Sequence, residues 1–331
     1  MSGVRVALLA ALVVLAAGCG AGSRVSSSDG RSMSEPAWSP NGARIAWEER
    51  TQSPAKSVIW VSLADGTDPH QVSQGIDALG QLEWLTNREL IYWANYRVFR
   101  LRLGAKPSLV SSVHGGGFSV DARGTRLASG SSGCPTCVAP IDVIPLAAGA
   151  ARAEIGPADA QNSNPSLAPD GRAVVFDRSV CSQASGDCSA PAGIWTAPTS
   201  AGATATQLAH SGVCPAWSPH GSEIFYADDT GYVVPASGGA AQRLPIGSNC
   251  ATWSPDGRSL ATIGADSRLA VVDLQTMKVR RLSAVGLVNG LAWSPDSRSL
   301  LVTTGGSLNA CTSLWTVDPA TRKSTQIRRC G

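Results

Sequence analysis

Residues 252–261 read Thr252-Trp253-Ser254-Pro255-Asp256-Gly257-Arg258-Ser259-Leu260-Ala261, and near-copies of this stretch recur along the chain. Clear copies are Ala37-Trp38-Ser39-Pro40-Asn41-Gly42, Ala216-Trp217-Ser218-Pro219-His220-Gly221 and Ala292-Trp293-Ser294-Pro295-Asp296-Ser297. Ser166-Leu167-Ala168-Pro169-Asp170-Gly171 has lost the tryptophan, while Glu83-Trp84-Leu85-Thr86-Asn87-Arg88 and Ser119-Val120-Asp121-Ala122-Arg123-Gly124 are degenerate. The tryptophan-equivalent positions 38, 84, 120, 167, 217, 253 and 293 repeat every ~42 residues, the spacing of four-stranded propeller blades.

The turn at the centre of each copy has a local cause. Proline presets the second turn position, aspartate or asparagine bonds the backbone just ahead, and glycine accepts a positive φ. Apolar runs follow, such as Ile45-Ala46-Trp47, Ala173-Val174-Val175-Phe176 and Leu300-Leu301-Val302. Consecutive apolar residues, rather than strict alternation, mark strands covered on both faces. A second apolar strand (Ile59-Trp60-Val61, Ile194-Trp195-Thr196, Leu314-Trp315-Thr316) and a more polar one (Gln242-Arg243-Leu244, Gln326-Ile327) complete the unit. Trp38, Trp84, Trp217, Trp253 and Trp293 are read as structural residues packed between blades, each burying on the order of 200 Å². The expected fold is all-β: a seven-bladed β-propeller of four-stranded antiparallel blades, or six blades if the unit around Val120 is discarded.

This Trp-Ser-Pro-Asp-Gly turn followed by an apolar strand resembles the repeat of TolB-type, WD-like propellers, over residues 36–330. The resemblance implies an exported propeller that binds proteins or envelope components. The chain departs from the family type in having seven units rather than six and no room for a preceding α/β domain.

The N-terminus reads as an export signal: Arg5 supplies a positive charge, and Val6 to Ala17 is an apolar run of 12 residues, short of the roughly 20 that span a bilayer. Leu15-Ala16-Ala17-Gly18-Cys19 resembles the lipobox of bacterial lipoproteins, which implies cleavage before Cys19 and lipid attachment to it. The expected organisation is a signal peptide at 1–18, a flexible tether at 19–35 and a single propeller at 36–331, anchored to the outer face of the bacterial cytoplasmic membrane or periplasmic.

Beyond Cys19, eight cysteines remain, an even number consistent with disulfides in an oxidising compartment. Cys214 and Cys250 each lie three residues before a repeat tryptophan and are expected to bond across neighbouring blades. Cys311 with Cys330 is expected to pin the C-terminal strand, and Cys181 with Cys188 and Cys134 with Cys137 to close single loops. Cys134-Pro135-Thr136-Cys137 lacks the βαβ context of a redox CxxC.

Net charge is +3 from 27 basic and 24 acidic residues without blocks, which argues against nucleic acid as a partner. The sequence has no Gly-x-Ser-x-Gly, HExxH, phosphate loop or EF-hand spacing, and His70, His114, His210 and His220 are dispersed. Asp228-Asp229 is read as part of a turn. No catalytic residue, cofactor or metal ligand is expected. Two functions remain: a monomeric, membrane-anchored binding or scaffold protein for an envelope protein or saccharide, with loops 51–56 and 181–192 as its first candidate contacts, or a propeller hydrolase or lyase with a channel-centred site.

Overall fold

Twenty-eight strands form seven four-stranded antiparallel sheets in a ring, in a computed structural model that describes residues 31–52, 55–77, 79–113, 117–130, 138–147, 150–158, 160–180, 190–247, 250–282, 287–305 and 312–329. Each sheet is built from four strands consecutive in sequence, so each repeat is one blade. The innermost strands are β1 (Arg31–Trp38), β5 (Leu79–Thr86), β9 (Phe118–Val120), β13 (Gln161–Leu167), β17 (Val213–Trp217), β21 (Ala251–Trp253) and β25 (Leu287–Trp293). The unit around Val120 forms a complete blade with Arg126–Ser129, Ile141–Pro145 and Ala153–Ile155, which settles the count at seven. No helix among the described residues is long and apolar enough to cross a membrane.

The core lies between blades rather than within them. Each of the seven buried clusters joins two neighbouring blades, as where Phe225, Val233 and Leu244 of blade 5 meet Trp253, Leu260 and Val272 of blade 6. Both faces of every sheet are therefore covered, which is why the middle strands read as unbroken apolar runs: Leu90 and Ile91, adjacent in sequence, are both fully buried, one in each flanking seam. The repeat tryptophans reach back to the preceding blade. Trp253 Nε1 donates to the Ala216 carbonyl at 3.0 Å, and Trp293 Nε1 to that of Thr252 at 3.2 Å.

Seen from the turns, the blades are linked again. The Asn41 N–H donates to Asn87 Oδ1, the Ala122 N–H to the Pro169 carbonyl and the Asp256 N–H to Ser297 Oγ, while the His220 ring lies 3.1 Å from the Asp256 carbonyl. The turn glycines Gly42, Gly171, Gly221 and Gly257 sit at φ near +70°, and Ser297 holds the same conformation at φ 60°.

The ring closes between blades 1 and 7 without strand exchange. The Met33 N–H donates to Thr312 Oγ1 at 2.7 Å, and Arg328 stacks 4.7 Å from the Trp60 ring centroid while paired with Glu49. Cys311 and Cys330, expected to secure this closure, lie outside the described residues. Two details differ from the sequence reading. The first strand begins at Arg31, so the folded body reaches into the expected tether. Within the stretch 51–56, Thr51 and Gln52 belong to the strand Arg44–Gln52 and Ala55 and Lys56 to the strand Ala55–Leu63, with Gln52 paired to Ala55, so these four residues continue a ladder rather than an irregular loop.

Candidate functional site: the mouth of the axial channel

Antiparallel order sends every inner strand from the loop end of the ring to the turn end. Near the loop end the strands share a defect. The pairing of the inner strand with its neighbour breaks register between Ser34 and Ala37, Leu79 and Leu82, Ser163 and Ser166, Val213 and Ala216, and Val288 and Gly290. Three of these bulges are X-Pro pairs whose first residue has positive φ: Glu35 at 49°, Asn164 at 46° and Cys214 at 53°. Proline suits a bulge because it has no N–H to offer a ladder. Holding a residue other than glycine at positive φ costs energy, and bulges re-aim side chains.

The positions at this level form a ring, although the inner strands Phe118–Val120 and Ala251–Trp253 pair without a bulge. Three residues before each tryptophan-equivalent stand Glu35, Gln81, Gly117, Asn164, Cys214, Cys250 and Gly290. Five of these seven converge on one cavity of about 150 Å³, whose wall includes Gln81, Phe118, Asn164, Pro165, Cys214 and Cys250. Cys214 and Cys250 form the expected disulfide, with 5.3 Å between their Cα atoms. Gln81 is locked to the next blade, donating to the Phe118 carbonyl at 2.7 Å and accepting from its N–H at 2.8 Å. Asp177 joins two more blades, accepting from Asn164 at 2.7 Å and from the Cys214 N–H at 2.9 Å.

Carboxylates gather on the same side of the fold. Glu48 is buried and accepts from the hydroxyls of Ser34 and Ser57. Burial pushes its carboxyl above the ordinary range despite those bonds. Glu35 is pushed up to about 8, first by burial and then by the charges of Glu48 and Glu83. Burial raises Glu83 to about 7 against the opposing hydrogen bond from Gln81. Asp177 is raised by burial as well, against its bonds from Asn164 and Cys214. Glu35 and Glu83 are both half-buried.

The sequence put Cys214 and Cys250 on adjacent inner strands as a disulfide, and named no residue as part of a site here. The available signal was the same offset of three residues before the tryptophan, reinforced by the recurring pairs Glu35-Pro36, Asn164-Pro165 and Cys214-Pro215. Trp38, Trp84, Trp217, Trp253 and Trp293 each pack in the seam with the preceding blade. Cys19, Cys134, Cys137, Cys181, Cys188 and His114 lie outside the described residues. Of the histidines, His220 serves its turn, and the His70 ring lies 3.0 Å from the Asp68 carbonyl. Asp228 and Asp229 sit in a hairpin turn bonded to Ser211, Tyr232 and Arg243. Among the described residues no group of three or more His, Cys, Asp or Glu side chains is placed to hold a metal ion. A larger depression of about 510 Å³ lies at the turn end of blade 2 among Thr86, Asn87, Arg88, Glu89 and Arg102, open to solvent where the second unit has lost its Pro-Asp-Gly turn.

No protein-family model matches the sequence, and no curated protein matches it. The fold is similar to that of solved propellers. A puromycin-hydrolyzing peptidase of Mycobacterium tuberculosis matches with a TM-score of 0.67 at 15% identity over 95% of this chain and 56% of that one, so this chain spans about half the peptidase's length. An oligogalacturonate lyase of Vibrio parahaemolyticus matches with a TM-score of 0.67 at 12% identity, over 91% of this chain and 94% of that one. TolB from Acinetobacter baumannii matches with a TM-score of 0.52 at 16% identity, over 86% of this chain and 75% of that one. At such identities the likeness is one of fold.

Proposed function

We propose that the protein is an exported, lipid-anchored binding protein of the bacterial cell envelope, tethered through Cys19, whose channel mouth receives one protruding side chain of a protein partner. The observation that carries this reading is the convergence of five equivalent inner-strand positions on one small cavity. Bulges in blades 2, 4 and 5 bring Gln81, Asn164 and Cys214 to one cavity, whereas the turns at the other end repeat. The cavity's size favours a protein over a saccharide: about 150 Å³ is well below the roughly 300 Å³ at which small-molecule pockets begin, and suits a single side chain.

Affinity capture of the intact protein from membranes tests this. Wild type is expected to return one stoichiometric envelope protein, and Ala251→Leu, which fills the cavity, to lose it. Equal capture by both would defeat the reading, and retention on cell-wall saccharide alone would replace it.

A channel-centred hydrolase or lyase is the second reading, favoured by one observation. Burial pushes Glu35 up to about 8 and Glu83 up to about 7, toward the range useful to a general acid or base. Under that reading Glu35→Gln abolishes turnover of a cell-wall substrate while leaving partner capture intact.

A further inference from the structure

The seam between blades 5 and 6 is fastened at three levels. Nearest the channel mouth is the Cys214–Cys250 disulfide. Midway, Trp253 Nε1 donates to the Ala216 carbonyl, and at the turn end the His220 ring meets the Asp256 carbonyl. Behind these lies the buried cluster of Phe225, Leu244, Trp253 and Leu260. Both cysteines of the disulfide line the cavity, and both are half-buried rather than enclosed in that cluster.

We propose that Cys214–Cys250 is an exchangeable disulfide, a thiol-exchange site opening on the channel, whose reduction loosens the mouth while the rest of the seam stays closed. This concerns the cavity wall and stands whether or not a partner side chain enters it. Reduction requires a dithiol reductant of thioredoxin-like chemistry. Its thiolate attacks one sulfur, the bond between Cys214 and Cys250 breaks, and the departing cysteine thiolate takes up a proton. The reductant's second thiol then resolves the mixed disulfide, leaving two protein thiols and an oxidised reductant.

Three features keep the change local. Cys214 stays tied to blade 4 through its N–H to Asp177, and Cys250 stays tied within its own blade through its carbonyl, which accepts from Thr262 Oγ1 at 2.8 Å. The Trp253 and His220 contacts below do not involve either sulfur.

Differential alkylation of the purified full-length protein tests the proposal. It is treated with dithiothreitol in native buffer, labelled with iodoacetamide and mapped by peptide mass spectrometry, with far-UV circular dichroism followed in parallel. The expected result is that the Cys214 and Cys250 peptides pass from unlabelled without reductant to fully labelled with it, while the strand signal is unchanged. Labelling that requires denaturant, or that appears only as the strand signal collapses, would overturn the proposal, and so would labelling without reductant. The Cys214→Ser/Cys250→Ser protein provides an independent check: it should keep the strand signal of wild type, and its loss would show that the disulfide is required for the fold.

Discussion

Asp296 at the turn end and Glu35 at the channel mouth stand three residues after and three residues before a repeat tryptophan, yet their surroundings push them in opposite directions. Asp296 accepts from Ser294 Oγ and from the Arg298 N–H, and its carboxyl is held below the usual range. Asp256 is likewise lowered: partial burial pushes it up, but the bonds from Ser254 and the Arg258 N–H prevail. Glu35, with Glu48 and Glu83, is pushed upward by burial and by its neighbours' charge. One end of the strand spends its polar groups on closing a turn, and the other leaves them crowded around an opening. A carboxylate saturated with backbone donors is structure, whereas one kept at the edge of ionisation is available for something else.

The contrast is broken most severely at the tryptophans. Trp253→Ala removes a buried ring and its bond to blade 5, and is expected to cost about 3–5 kcal/mol, read as a lower denaturant midpoint. Asn164→Ala at the mouth, by comparison, should cost about 1 kcal/mol. If the two losses were equal, the division between a structural and a variable end would be wrong.

Removing the disulfide comes next. Its 36-residue separation makes Cys214→Ser/Cys250→Ser worth roughly 2–4 kcal/mol, through the freedom restored to the unfolded chain, with the propeller still folded.

The dependence on pH separates the two ends directly. A carboxyl raised in the folded state contributes stability that is fully present below its unfolded value and is lost as pH climbs through the folded one. Glu35 and Glu83 therefore predict a falling melting temperature from about pH 4.5 to 8, and Glu35→Gln should flatten that fall. The lowered Asp256, Asp273, Asp296 and Asp318 act the other way, contributing stability above about pH 3.8 that is lost on further acidification. Stability should peak in mildly acidic buffer, and a plateau from pH 5 to 8 that Glu35→Gln leaves unchanged would remove the channel cluster from the account. The smallest effect is at a single turn: Asp296→Ala loses the bonds from Ser294 and Arg298 and should cost about 1 kcal/mol.

The same division explains what the sequence made legible. A turn is a local object, so Pro255-Asp256-Gly257 and its copies announced themselves, and counting them gave the blades, including the faint one at Val120. The bond between Cys214 and Cys250 was readable because both hold the same place relative to a repeat tryptophan. Glu35, Glu48 and Glu83 gave no such sign: they come from different strands of two blades, and only the closed ring makes them neighbours. The ladder residues Thr51, Gln52, Ala55 and Lys56 were read as loop because Arg50, Thr51 and Gln52 are polar, and a strand projecting beyond the core needs no apolar pattern to keep its ladder.

Site-directed photo-crosslinking in intact membranes tests the central claim most directly, with a photoreactive residue placed either at position 164 in the mouth or at position 170 in the turn of the same blade. The account predicts a discrete protein adduct at 164 and none at 170. An adduct at 170 alone, or equal adducts at both, would contradict it.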